Sequence, residues 1–302
     1  MEAKNKSAQD VRNFMRLVGT PVMCLYGGAA VDRALNPDSP IMDYDLAIED
    51  PDEYTRVVTV LKNLGYDVGN TRIAFNMATV AKDPKTGMVW DLSCMDIKSN
   101  GIFNYEKFYV KFSPEFPYGK DVDQYDTLNA VRAGRVEIIN DPDKEQAYDL
   151  LRRFSVLAGK YEFSLDLNGI NADTMEIIHR RLRETPLGRE NVHARVRCLS
   201  RFIGAILRAK KQGQYVAGMG QTGLMCYAFP EINNVLCQAE FAESLANSPA
   251  IDKIDLLNRM YERSEFKRNF LSEISLLLQR ERDREDPHVF ELVEGWTKNF
   301  KD

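Results

Sequence analysis

A glycine pair closing one apolar run, followed by acids at alternate positions of a second, constrains this chain more than any other feature. The first run reads Cys24-Leu25-Tyr26-Gly27-Gly28-Ala29-Ala30-Val31-Asp32-Arg33-Ala34-Leu35. A polar turn over Asn36 to Ser39 leads into Ile41-Met42-Asp43-Tyr44-Asp45-Leu46-Ala47-Ile48. The pattern predicts a buried strand, a glycine turn and the start of a short helix. Lacking a Cβ, the glycines let backbone N–H groups approach an anion closely, and a helix N-terminus favours negative charge. The second run predicts a strand, on which residues i and i+2 point to one face. Asp43 and Asp45 then lie side by side between apolar neighbours, where like charges repel unless a cation sits between them. A phosphate cradle opposite a divalent-cation pair of acids is the equipment of nucleotidyl transfer.

Composition narrows the alternatives. A chain of 302 residues can hold two or three small domains. Its 44% hydrophobic and 28% charged content is that of a soluble globular protein. No apolar run reaches the ~18 residues that suggest a membrane span. Met1 to Asp10 lacks the apolar core of a signal peptide, so a cytoplasmic location is expected. The cysteines (Cys24, Cys94, Cys198, Cys226 and Cys237) are odd in number and lack metal-ligand spacing, which predicts reduced thiols with no disulfide partner. A net charge of −5 excludes a generic polyanion binder but not a local basic face. His179, His193 and His288 are far apart in sequence, which argues against a histidine-based zinc site.

Along the chain, residues 11–35 predict helix, strand and helix start. Asp52 to Leu64 has helical spacing and stops at Gly65. Tyr66 to Val80 and Met88 to Met95 predict strands joined by the turn Asp83-Pro84-Lys85-Thr86-Gly87. Phe108 to Tyr125, aromatic and broken by Pro and Gly, reads as a structured loop, either a packed excursion or a flap beside the site. Beyond residue 143 the pattern is helical: Gln146 to Tyr161, Asp173 to Glu184, Val192 to Gln212, Gln221 to Phe229, Glu231 to Leu245, Ile251 to Tyr261 and Ser264 to Arg282. Breaks are expected at Gly213, at Gly218 to Gly220 and at several prolines. The expected layout is an α/β head over 1–142, with a small mixed sheet and flanking helices. A helical neck over 143–215 and a helical body over 216–302 follow.

A two-metal site wants a further acid. The strand Met88 to Asp96 offers Asp91, which shares a face with Ser93, while Trp90, Leu92 and Cys94 share the other. With this third acid the head resembles that of the poly(A) polymerase and CCA-adding tRNA nucleotidyltransferase family, within the polymerase-β-like nucleotidyltransferases. The resemblance rests on Gly27, Gly28, Asp32, Leu35, Asp43 and Asp45 and covers roughly residues 15–165. Val31 stands where the family has an arginine, and Arg33 lies two positions on as a substitute. Asp91-Leu92-Ser93-Cys94-Met95-Asp96 resembles the family's acid-bearing strand.

Two stretches compete for the family's next motif: Asp126 to Ala130, carrying Asp126 and Asn129, and Asp96 to Gly101, carrying Asp96 and Asn100. Asp126 and Asn129 are preferred, because Gly134 to Pro142 then resembles the strand that follows. Asp149 and Arg152 match the Asp-x-x-Arg spacing with which the family reads the incoming base, although an exposed i,i+3 ion pair explains them as well.

The resemblance implies an enzyme that lets a 3′-hydroxyl attack the α-phosphate of CTP or ATP and releases pyrophosphate. Asp43, Asp45 and Asp91 would hold Mg²⁺, the only cofactor implied, and Gly27 and Gly28 would cradle the phosphates. Arginines and lysines in the helical half (Arg180, Arg181, Arg183, Arg195, Arg201, Arg208 and Lys211 among them) suit the phosphates of a tRNA acceptor stem, or form a solvated helix face. Gly27-Gly28-Ala29-Ala30-Val31-Asp32 also resembles antibiotic nucleotidyltransferases, so adenylylation of a small molecule or protein stays open. So does a degenerate head that binds nucleotide or RNA without chemistry.

Overall fold

The structure, a computed structural model, describes residues 3–36, 43–73, 76–98, 101–144, 146–185, 198, 201–202, 204–206, 209–228, 243–244 and 247. The chain divides into two compact units, residues 1–132 with 138–140, and residues 133–137 with 141–302.

The first unit is built on a seven-stranded mixed sheet in the order β3-β4-β5-β2-β1-β6-β7. Its strands are β1 (Met23–Leu25), β2 (Asp43–Ile48), β3 (Asp67–Ile73), β4 (Asn76–Lys82), β5 (Val89–Cys94), β6 (Phe108–Phe112) and β7 (Lys120–Asp123). All neighbours are antiparallel except β2 and β5, which run parallel. The unit's helices are α1 (Ala3–Val18), α2 (Gly27–Leu35), α3 (Pro51–Asn63) and α4 (Thr127–Arg132).

Local chemistry explains why α3 starts and stops where the sequence says. Asp50 accepts hydrogen bonds from the Asp52 and Glu53 N–H groups, Pro51 opens the first turn, and Gly65 follows the end at φ +81°. Across β2 and β5, Tyr44, Leu46, Trp90 and Leu92 bury one face of the sheet. There Phe14 of α1 stacks on Trp90 at 4.1 Å, Trp90 stacks on Tyr44, and Tyr54 of α3 bonds Thr79 of β4 at 2.6 Å. The opposite face carries the acids.

Four sequence expectations are corrected by the structure. Tyr66 to Val80 is not one strand but the hairpin of β3 and β4, with Asp67 opposite Lys82 and Ile73 opposite Asn76. Ala74-Phe75 offers no Gly, Pro, Asn or Asp to announce the turn.

Phe108 to Tyr125 is a second hairpin, β6 and β7, rather than a loop. Phe108, Val110 and Phe112 are buried, and so is Tyr109, because β6 lies between β1 and β7 with both faces covered. Its Pro and Gly residues fall in the turn, where Gly119 at φ +88° lets Val110 and Phe112 close over the backbone. Since Met23 pairs with Phe112 and Leu25 with Val110, that turn lies at the end of β1 remote from the glycine pair.

Gly134 to Pro142 forms only an isolated bridge, Phe103 to Ile138. Its backbone is instead held by side chains of the second unit: Asn171 accepts from Val136 N–H and donates to the Gly134 carbonyl, and Thr174 donates to the Val136 carbonyl.

The described secondary structure of the second unit is helical. It comprises α5 (Ala147–Tyr161), α6 (Ala172–Glu184), a helix over Gln212–Thr222 and a short one over Met225–Ala228. Leu150, Leu151, Phe154, Ile178, Phe202, Val216 and Met219 form its core. The glycines read as breaks lie inside the Gln212–Thr222 helix. They admit close packing: a Cβ at Gly218 would meet Leu165 Cδ1 at 2.8 Å, and one at Gly159 of α5 would meet Ala205 at 3.2 Å. Helix propensity alone pointed the wrong way at Gly218, because close packing against Leu165 outweighs the roughly 1 kcal/mol that a mid-helix glycine costs. Apart from 243–244 and 247, the helices expected over Glu231 to Leu245, Ile251 to Tyr261 and Ser264 to Arg282 lie outside the described residues.

Candidate active site

The glycine pair and the acids meet at one corner of the sheet. Tyr26 N–H donates to the Asp45 carbonyl at 3.0 Å, which zips the end of β1 to β2. Gly27 follows at φ +65°, a conformation that favours glycine, and opens α2. A Cβ on Gly27 would lie 3.0 Å from Asp45 Oδ2 and 3.7 Å from its carboxyl carbon. The Asp45 carboxylate therefore rests against the Gly27 α-carbon, beside the first turn of α2. N–H groups of a first helical turn have no partner within the helix, and no side chain caps this one from Tyr26.

The third acid arrives from β5. In the parallel register Asp43 pairs with Val89, Asp45 with Asp91 and Ala47 with Ser93. Paired residues of adjacent strands point the same way and lie roughly 4.8 Å apart. Asp45 and Asp91 therefore sit side by side on one face, both partly exposed, with Ser93 buried below. Asp43 opens β2 two residues before Asp45, and its side chain lies outside the described residues. Among the described residues no cluster of three metal-ligating side chains occurs. The acid set is made of hard oxygen donors, and Gly27 leaves open a space that any side chain would fill; both features suit Mg²⁺.

Other sequence-predicted residues take definite places. Asp32 and Arg33 lie on α2, half-buried. Arg33 is pinned to the β6–β7 hairpin, bonding Asp121 Oδ1 at 3.0 Å and the Tyr118 carbonyl at 3.3 Å. Its Nε is buried without a hydrogen-bond partner. Asp126 opens α4 at φ +52°, and a ladder runs from Asp126 to Asn129 at 2.7 Å and on to Arg132 at 3.1 Å. α4 packs against α2, so this ladder belongs to the same unit as the acids. Asp96 forms a turn by accepting from Lys98 N–H, and Asn100 lies outside the described residues.

In the second unit, Asp149 and Arg152 form an ion pair at 3.0 Å on α5, with side chains 26% and 18% exposed, so solvent screens the pair only in part. They flank Cys198, whose thiol burial pushes up to about 12 while Arg152 pulls it down. Of the basic residues, Arg181 pairs with Asp143 and Glu184, and Arg183 with Glu176. Arg195, Arg208, Lys267, Arg268 and Arg280 lie outside the described residues.

Sequence reasoning missed one contact. Tyr26 Oη and Ser93 Oγ lie 3.0 Å apart, across β2. Farther along the same face, Cys24, Ala47 and Tyr109 floor a cavity of about 390 Å³ rimmed by Glu49, Lys98 and Lys111. None of the sequence-predicted site residues lines it. Burial, with Glu49 nearby, raises the Cys24 thiol to about 11, so it is protonated at neutral pH.

No protein-family model matches the sequence, and a search of curated proteins found no match. Solved structures do match. A Thermotoga maritima CCA-adding enzyme complexed with tRNA aligns over 96% of this chain and 78% of its own, with a TM-score of 0.55 at 13% identity. A CCA-adding enzyme with CTP aligns over 99% and 72%, with a TM-score of 0.59 at 14% identity. The fold is that of the CCA-adding enzymes. A tRNA-processing enzyme in an apo form also aligns, over 98% and 77%, with a TM-score of 0.56 at 16% identity. At such identity the likeness is one of fold, and residue roles rest on the chain's own geometry. Within the CCA-adding fold, among the described residues no helix is long and apolar enough to cross a membrane, and Cys24, Cys94, Cys198 and Cys226 form no disulfide.

Proposed function

We propose that this chain is a nucleotidyltransferase that extends the 3′ end of an RNA, with CTP or ATP as donor and a tRNA as acceptor. The observation that carries the reading is the Asp45 carboxylate seated on the Gly27 α-carbon with Asp91 in register beside it. Similarity to structures holding CTP and tRNA supports it at the level of the fold. The acceptor 3′-oxygen bonds to the α-phosphorus, the bridge to the β-phosphate breaks, and pyrophosphate leaves. Such transfer depends on positioning and charge neutralisation more than on covalent help from the protein.

Each residue then has a task. First-turn N–H groups at Gly27 and Gly28 bind phosphate oxygens. Asp45 and Asp91, with Asp43, hold the cofactor. Mg²⁺ bound there supplies charge neutralisation and lowers the pKa of the attacking hydroxyl. Asp149 and Arg152 present an acceptor and donors one turn apart, suited to the pairing edge of a base.

Incubation with each labelled nucleoside triphosphate, Mg²⁺ and tRNA lacking its 3′ end tests the proposal. Sequencing is expected to find added C or A at the 3′ terminus. Label on a hydroxylated small molecule with none on RNA would favour the antibiotic-type alternative, for which Val31, fully buried in the Gly-Gly-x-x-Val-Asp pattern, is the specific observation. No transfer with any triphosphate would contradict both.

A further inference from the structure

We infer that Tyr26 and Ser93 form a crosspiece that fixes the separation of Asp45 and Asp91, and so sets the affinity of the acid pair for a divalent cation. The inference rests on the metal-holding role proposed above for those acids. Tyr26 follows β1 and meets β2 at Asp45, to whose carbonyl its N–H donates. In that antiparallel pairing, Tyr26 and Asp45 face the same side of the sheet. Ser93 stands on the same side of β5, two residues beyond Asp91 and opposite Ala47. The Tyr26 side chain therefore crosses β2 to meet the Ser93 hydroxyl at 3.0 Å, on the Ala47 side of the acid pair.

Two consequences follow from this placement. The crosspiece ties β1 to β5, strands that are not neighbours in the sheet, one same-face residue pair along from the two carboxylates. Like charges push those carboxylates apart, and a bond beside them, added to the β2–β5 pairing, limits how far β5 can yield. Tyr26 also packs against the buried cluster of Cys24, Ala47, Met95, Ile97 and Tyr109, an apolar patch on the same side of the acid pair as Ser93. Electrostatic interactions strengthen when one side of a site excludes water. Ser93 is 7% exposed, so its hydroxyl is held where water cannot readily replace the tyrosine. Neither residue needs to touch a cation or a nucleotide; both act through the acids and are positioning residues. Groups bonded directly to metal ligands typically change metal affinity 10–100-fold, so the less direct Tyr26–Ser93 bond is expected at the lower end of that range.

The test is a double-mutant cycle read by Mn²⁺ titration with electron paramagnetic resonance, using full-length wild type, Tyr26→Phe, Ser93→Ala and the double variant. Thermal unfolding of each variant without metal runs alongside. Both single variants are expected to weaken Mn²⁺ binding about tenfold. The double variant is expected to bind no more weakly than either single, because one shared bond is lost in all three. Unfolding temperature is expected to fall by only a few degrees, the effect of about 1 kcal/mol. Wild-type-like Mn²⁺ affinity in both singles would overturn the crosspiece, as would effects that simply add. If wild type itself binds no Mn²⁺, the metal-holding role fails first and the crosspiece falls with it; these outcomes are told apart by the wild-type titration alone.

Discussion

Asp45→Ala is expected to lower nucleotide transfer by about a thousandfold or more while leaving the apo protein as stable as wild type. A bound cation stabilises transition-state charge by several kcal/mol, and each ~1.4 kcal/mol is a factor of ten in rate. Asp45 is the acid that touches both halves of the corner, the Gly27 turn and the Asp91 strand. Removing it takes away one of two adjacent like charges, so the metal-free fold gains relief from repulsion. Mg²⁺ should raise the unfolding temperature of wild type, since a ligand that binds only the native state stabilises it. It should do so less, or not at all, for the variant. Residual wild-type activity in Asp45→Ala would contradict the metal role, and a collapse of apo stability would make Asp45 structural.

Gly27→Ala carries the second large effect, and it separates two causes. At φ +65° an alanine pays the left-handed penalty, roughly 1–2 kcal/mol of stability. Its Cβ would also stand 3.0 Å from Asp45 Oδ2, closer than ordinary van der Waals contact, so the carboxylate must give way by a few tenths of an ångström. Misplacing a reacting constellation can cost about a hundredfold in rate, and that loss is expected here on top of the stability loss. Gly65 is the control: it has φ +81° with nothing within 4 Å of the site of a Cβ. Gly65→Ala should reproduce the stability loss and keep full activity. Equal activity losses in the two variants would show that the Gly27 effect is only backbone strain.

The parts of the fold that the sequence revealed are the local ones. α3 could be read from the apolar spacing of Asp52 to Leu64 and the stop at Gly65, because helical periodicity and turn chemistry act within a few residues. The diglycine bend and the strand that carries Asp43 and Asp45 could be read because strand alternation needs no partner strand. Asp91 could be chosen as an acid between apolar neighbours, but its register opposite Asp45 could not. That register depends on a parallel pairing of strands about forty-five residues apart in sequence, bridged by α3, β3 and β4. The Tyr26–Ser93 bond was illegible for the same reason, since it requires the order β5-β2-β1. The β6–β7 hairpin hid behind its own turn, where Pro114, Pro117 and Gly119 drew attention from the buried alternation of Phe108, Val110 and Phe112. Arg33 shows a different limit. Its bonds to Asp121 and the Tyr118 carbonyl reach a hairpin distant in sequence, which no local pattern announces.

The central claim is that the corner made by Gly27, Asp45 and Asp91 grips a divalent cation and the phosphates it escorts. A crystal grown with Mn²⁺ and a nonhydrolysable CTP analogue, with data collected at the manganese edge, tests this most directly. The expected result is an anomalous peak within bonding distance of Asp45 and Asp91 carboxylate oxygens, with phosphate oxygens against the N–H groups at Gly27 and Gly28. A peak bound elsewhere, or Asp45 and Asp91 turned to bulk solvent beside an ordered nucleotide, would contradict it.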